Sequence, residues 1–186
     1  MLNLPNVLSL VRILLVPIIV VVLLTEVEDK EWIGLALFLA ASATDFLDGY
    51  IARRRQQVTR LGQLLDPAAD KILTSAAFIS LVELRLVPAW MVVIIVAREF
   101  AVSALRSVAA LQNLAISASG SAKLKTALQI AAISLAIVSE KLGEFQKLAP
   151  AMMWAAVLAT IYSGVDYFVR YGRLVVRSTG DARPGA

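Results

Sequence analysis

Four aspartates, Asp45, Asp48, Asp66 and Asp70, stand in the stretch DFLDGYIARRRQQVTRLGQLLDPAAD, with apolar sequence on either side. Asp45 and Asp48 are three residues apart and Asp66 and Asp70 four apart, spacings that set each pair on one face of a helix. Four carboxylates gathered in one site repel one another and call for cations between them. The chain has no His and no Cys, so metal ligation and proton transfer fall to these carboxylates. Oxygen-only ligands favour Mg²⁺ or Mn²⁺ over Zn²⁺. Two such ions bridged by the aspartates would clamp a pyrophosphate. Gly49 and Gly62 remove side chains where a ligand could approach the backbone. Ala52 is small for the same reason, and Arg53 brings a planar donor fork suited to phosphate. Structural ion pairing with Arg53, Arg54 or Lys71 is the plainer alternative, and it gives no reason for the two glycines.

Such a cluster needs rigid elements around it, and the composition says which kind. The 186 residues are 59% hydrophobic, and the mean hydropathy is +0.77, well beyond the soluble range. Apolar segments at about 7–25, 32–51, 67–86, 88–110, 124–140 and 149–169 each approach the roughly 20 residues that span hydrocarbon. The expectation is an all-α integral membrane protein with six transmembrane helices. Ionisable groups inside such helices are expensive and mark a functional site.

Loop charges set the orientation. Glu26, Glu28, Asp29 and Glu31 follow the first span, whereas Arg53, Arg54, Arg55 and Arg60 follow the second. Lys123 and Lys125 make the fourth loop basic, and Arg170, Arg173, Arg177 and Arg183 make the tail basic. By the positive-inside rule both termini are cytoplasmic, and the carboxylates open to the cytoplasm. The net charge of +4 is therefore divided by membrane side, and nothing in it suggests a nucleic-acid surface. Residues 1–177 read as one membrane domain and 178–186 as a flexible tail; the first apolar run reads as a retained anchor, not a cleaved signal. Arg12, near the start of that run, is either a topology charge or an anion ligand.

The pattern D-x-x-D-G-x-x-A-R-x8-G-x3-D-x3-D, from Asp45 to Asp70, resembles the signature of the CDP-alcohol phosphotransferase family at every fixed position. These are six-helix membrane enzymes that join a CDP-activated group to an alcohol and release CMP. LPNVLSLVRI, TRLGQLLDPAADK, AREFAVSALR and KLKTALQ, in that order, look most like bacterial members whose acceptor is sn-glycerol 3-phosphate. The resemblance implies transfer of a phosphatidyl group from CDP-diacylglycerol to that acceptor, in the bacterial cytoplasmic membrane, by a multi-pass homodimer. It implies that Asp45, Asp48, Asp66 and Asp70 hold two ions, with Asp70 also the general base. CDP would lie against Asp48, Gly49, Ala52, Arg53 and Gly62. The acceptor's phosphate would meet Arg98, Arg106, Lys123, Lys125 and Arg12.

Arg98 and Arg106, two helical turns apart, could line one groove. Glu99 is either an orienting partner for an arginine or part of a buried ion pair. Tyr162, Asp166, Tyr167 and Arg170 read as interfacial anchors more readily than as acceptor ligands, and Trp32, Trp90 and Trp154 as membrane-belt residues. The chain departs from common family usage at Ser9, where Thr is frequent, and at Ala122, where Gly is frequent. Two other readings compete. Another acceptor, such as inositol phosphate or serine, would keep the chemistry. A divalent-cation transporter would spread its acids across the membrane's depth, whereas these cluster toward one side.

Overall fold

The structure is a computed structural model that describes residues 4–55, 60–111 and 120–172, with side chains described for 7–44, 65–111, 120 and 123–172. Among the described residues it is all-helical. The six long helices are α1 (Leu4–Leu24), α2 (Lys30–Arg55), α3 (Arg60–Glu83), α4 (Ala89–Leu111), α5 (Gly120–Ile137) and α6 (Leu148–Tyr167). Two short 3₁₀ turns, Ser139–Lys141 and Gly143–Lys147, link α5 to α6, and a π-helical turn, Phe168–Gly172, extends α6. Each helix covers the core of one apolar segment expected from sequence. The largest difference is at α3, which starts at Arg60 although the apolar run starts at about residue 67. Its first turns are polar, and helix formation there follows from backbone hydrogen bonding that apolar runs do not report.

Two segments, Val7–Leu24 and Gly143–Gly172, are apolar and long enough to cross a membrane on composition alone, among the described residues. The other helices carry charged residues within their length. Arg98, Glu99 and Arg106 lie on α4, and Lys123 and Lys125 open α5. Those charges lower the apolar character of these helices and also supply the site.

The helix ends have local causes. At the end of α3 the Leu86 N–H bonds the Leu81 carbonyl at 2.9 Å and the Arg85 N–H bonds the Val82 carbonyl at 2.9 Å. This is a Schellman closure, with Arg85 at φ 60° in the left-handed position that usually takes glycine. Pro88 then opens the way into α4, where the Met91 N–H bonds its carbonyl at 3.1 Å.

Helix α1 packs on α2 and α3, whereas α6 packs on α5 and α4; α2 and α3 also touch α5. The core runs between these groups through Ile19, Leu23, Phe38, Leu73, Phe78, Leu81, Ile95, Ile133 and Val157, all at most 2% exposed. Gly34 lets α1 and α2 approach, since a Cβ there would stand 2.4 Å from Leu23 Cδ2. Many large apolar side chains face outward, among them Leu14, Val21, Val93, Leu158 and Val169. On a soluble protein such a surface would be a liability; in a bilayer it is the lipid-facing side.

Candidate functional site

Helix α3 carries Asp66 and Asp70 one turn apart, on one side of the helix and both partly buried. Pro67 stands between them inside the helix. It withholds one backbone N–H, a loss that membrane helices tolerate where neighbouring groups satisfy the freed carbonyl. The Ser9 hydroxyl on α1 donates to Asp66 Oδ1 at 2.5 Å, and Ser9 is fully buried. Thr74 caps the local backbone by donating to the Asp70 carbonyl at 2.9 Å. Backbone helix continues through Asp45, Asp48, Gly49, Ala52 and Arg53 on α2 and through Gly62 on α3, but the side chains at these positions lie outside the described residues.

Arg12 is buried, at 1% exposure, so it is no surface topology charge. Its Nε–H donates to the Ala41 carbonyl of α2 at 3.2 Å, one turn before Asp45. Thr44 donates to the same carbonyl at 2.7 Å. Ser9 and Arg12 are three apart on α1 and so share a face. One grips α3 at an aspartate and the other grips α2 just ahead of an aspartate, so α1 fastens together the two helices that bear the signature.

Across α5 the charge changes sign. Lys125 is 5% exposed, and its ammonium pairs with Glu99 of α4. Arg98 Nη1 donates to the same Glu99 Oε1 at 3.2 Å. Lys125 is also within electrostatic reach of Asp70. A polar path runs from Lys125 on α5 to Glu99 and Arg98 on α4. Glu99 answers both descriptions offered from sequence: it is a buried ion-pair partner, and it touches an arginine.

The path continues into α6. Arg98 Nη2 donates to Ser163 Oγ at 2.6 Å, and the guanidinium lies 5.9 Å from the Tyr167 ring centroid. Gln129 Nε2 donates to Thr160 Oγ1 at 3.2 Å. Thr160, Ser163 and Tyr167 are at most 2% exposed. Tyr167 is thus buried against Arg98, where sequence favoured an interfacial anchor. Tyr162, at 68% exposure, is lipid- or surface-facing as expected, and Arg170 pairs with Asp166 one turn away at 2.5 Å.

Of the cations expected around an acceptor phosphate, Arg98 and Lys125 come together, while Arg106 and Lys123 are exposed on the ends of α4 and α5. Arg12 sits on the opposite, α1–α2 side. Ser9, Gln129, Thr160, Ser163 and Gly164 were not singled out as partners from sequence, because each acquires its role only from a residue far away in the chain. Trp90 and Trp154, each half-exposed, meet edge to face at 5.4 Å, joining α4 to α6.

Asp66 and Asp70 offer hard oxygen donors one turn apart, and the chain has no nitrogen or sulfur ligand of the His or Cys type. This donor set fits a divalent ion such as Mg²⁺ or Mn²⁺. No group of three or more ligand-type residues is assembled among the described residues. The side chains of Asp45 and Asp48 fall outside that set.

The sequence matches the model of the CDP-alcohol phosphatidyltransferase family over residues 2–162. It is 42% identical over 182 residues to the CDP-diacylglycerol–glycerol-3-phosphate 3-phosphatidyltransferase of Bacillus subtilis, covering 90% of this chain and 94% of the relative. It is 39% identical to the Rickettsia typhi protein of the same name, covering 89% and 95%. A Haemophilus influenzae protein, again so named, is 33% identical, covering 89% and 91%.

Proposed function

The chain belongs to the CDP-alcohol phosphatidyltransferase family, and from that membership we propose that it transfers the phosphatidyl group of CDP-diacylglycerol to sn-glycerol 3-phosphate, giving phosphatidylglycerophosphate and CMP. The observation that best supports this reading is the buried cluster in which Lys125 of α5 and Arg98 of α4 share Glu99, within the same bundle as Asp66 and Asp70 of the signature. Two cations on one carboxylate leave positive charge for a phosphate, and the aspartates supply a proton acceptor, which suits an acceptor that carries both a hydroxyl and a phosphate.

The reaction is one in-line displacement. Asp70 takes the proton of the glycerol 1-hydroxyl as that oxygen forms a bond to the lipid-side phosphorus, and the bond from that phosphorus to CMP breaks. No side chain is covalently modified, since one displacement suffices. Asp45, Asp48, Asp66 and Asp70 would hold two divalent ions, Mg²⁺ or Mn²⁺. Bound there, the ions neutralise the carboxylates and stabilise charge on the pyrophosphate and on the departing CMP. Ser9 holds Asp66 by its carboxylate oxygen. Asp48, Gly49, Ala52, Arg53 and Gly62 bind the CDP group. Arg98 and Lys125 bind the acceptor's phosphate, with the exposed Arg106 and Lys123 drawing it inward and Arg12 fixing the α1–α2 side.

The helices lie in the cytoplasmic membrane of a bacterium as six spans with both termini and the site cytoplasmic, and two copies form a homodimer among membrane lipid. CMP release by the purified protein tests the function, with CDP-diacylglycerol and Mg²⁺ and with glycerol 3-phosphate, inositol phosphate or serine as acceptor. The expected result is release with glycerol 3-phosphate alone, lost on chelation and restored by Mg²⁺ or Mn²⁺. Release with another acceptor would keep the chemistry and replace the substrate. No release with any acceptor, from folded and metal-supplied protein, would sink the assignment.

A further inference from the structure

Arg98 lies against α6 in a place shaped for it. Ser163 Oγ accepts its Nη2–H at 2.6 Å, and the Tyr167 ring lies 5.9 Å from the guanidinium carbon. Between them Gly164 is buried, and a Cβ there would stand 3.1 Å from Arg98 Cγ and 3.8 Å from Nε. Absence of a side chain at 164 is what lets the arginine stem lie flat on the helix. Ser163, Gly164 and Tyr167 thus define three contacts along one turn of α6, and Glu99 supplies a fourth at Nη1.

One donor is left over. The Arg98 side chain is 10% exposed, yet its Nε–H is buried without a hydrogen-bond partner among the described residues. A buried guanidinium N–H without an acceptor is costly, and such a group in a native site requires an explanation. Guanidinium is the side chain whose planar donors match phosphate oxygens.

We propose that Ser163, Gly164 and Tyr167 are positioning residues, a cradle on α6 that holds the Arg98 guanidinium in the plane and at the height at which it meets the phosphate of the acceptor. The cradle rests on the reading of Arg98 as an acceptor ligand given above. It works through Arg98 and touches no substrate itself. Ser163 and the Tyr167 ring set the plane of the guanidinium, while Gly164 sets its height above the helix.

The test measures the Kd of glycerol 3-phosphate for the full-length protein in detergent, with the thermal midpoint recorded for each variant. Ser163→Ala removes a hydrogen bond to a charged group and weakens binding about tenfold. Tyr167→Leu removes the ring and weakens it about 3- to 10-fold, whereas Tyr167→Phe, which retains the ring, binds like the parent. Gly164→Ala keeps both partners and presses on the arginine stem, so it weakens binding by about threefold without unfolding the chain. The affinity for CDP-diacylglycerol stays unchanged in all of them.

If these variants lower the thermal midpoint but bind glycerol 3-phosphate as tightly as the parent, the cradle is only structural and the proposal is overturned. Arg98→Gln separates the two layers of the argument. Loss of binding in Arg98→Gln, with parental binding in the folded α6 variants, removes the cradle and keeps Arg98 as a ligand. Parental binding in Arg98→Gln, or no binding by the parent, removes both. Binding that follows the expected order in a protein that releases no CMP upholds the cradle and overturns the reaction.

Discussion

The α1–α3 side of the molecule and the α4–α6 side solve opposite electrostatic problems. On the first side, aspartates of the signature stand in apolar surroundings, and the described neighbours offer Asp66 a neutral hydroxyl from Ser9. Arg12, buried on α1, donates its Nε–H to a backbone carbonyl of α2. On the second side two cations, Lys125 and Arg98, share one carboxylate, Glu99, and Gln129, Thr160 and Ser163 extend the contacts with neutral groups. The first side concentrates carboxylates, and the second concentrates cations around one shared carboxylate. Removing a carboxylate should therefore cost activity on one side and stability on the other.

Asp70→Asn is the severest test on the acidic side. If Asp70 is the general base proposed above, its replacement by a neutral amide of the same shape should lower kcat by about 10²- to 10⁴-fold, with the helical content close to the parent. A rate within a factor of two or three of the parent would remove Asp70 from the proton-transfer role and blur the contrast between the sides.

Glu99→Gln is the matching change on the cationic side. It leaves Arg98 and Lys125 buried beside each other without their shared counter-charge, and stripping one partner from a buried pair costs about 3–5 kcal/mol. The expected outcome is a marked fall in the thermal midpoint in detergent, measured without substrate. A midpoint equal to the parent's would mean that water or lipid headgroups already reach this pair, and that the cationic side is less closed than its burial suggests.

Ser9→Ala probes how a neutral neighbour serves the acidic side. Partners that orient a metal-binding carboxylate are typically worth about 10- to 100-fold in metal affinity. Direct Mn²⁺ binding to Ser9→Ala should weaken by about tenfold, and Ser9→Thr, which keeps the hydroxyl, should bind like the parent. Equal Mn²⁺ affinity in Ser9→Ala would reduce the Ser9–Asp66 contact to helix packing.

How much of this arrangement could be read from the sequence depends on how local each signal is. Hydropathy located all six helices, because each apolar run is continuous along the chain. The aspartates were legible because Asp45 to Asp70 form one short pattern whose residues need no outside partner to be recognised. Ser9 was visible only as a variant of a familiar position; its contact with Asp66 spans 57 residues. Arg98 could be named as a cation, but Ser163 lies 65 residues away and is an ordinary small residue of an apolar helix. Tyr167 looked like its neighbour Tyr162 in sequence, yet one is buried and the other exposed, because α6 turns them to different sides. Periodicity tells which residues share a face, and only packing tells what that face meets.

The smallest effect expected lies just beyond the cradle, and it separates burial from charge. Arg170 and Asp166 form an i,i+4 pair on the last turn of helical structure, at 2.5 Å, with the Arg170 side chain 62% exposed. However short it is, an exposed i,i+4 pair contributes only about 0.3–0.5 kcal/mol. Water and headgroups compete for the arginine, and holding its long side chain in one rotamer costs entropy that offsets the Coulomb gain. Arg170→Ala should therefore leave the thermal midpoint within about 2 °C of the parent and leave glycerol 3-phosphate affinity unchanged, although Arg170 is only three residues from Tyr167. A large loss of stability or affinity in this variant would mean that the charge at the end of α6 reaches back into the Arg98 site. The division between a closed cationic core and an exposed helix end would then have to be redrawn.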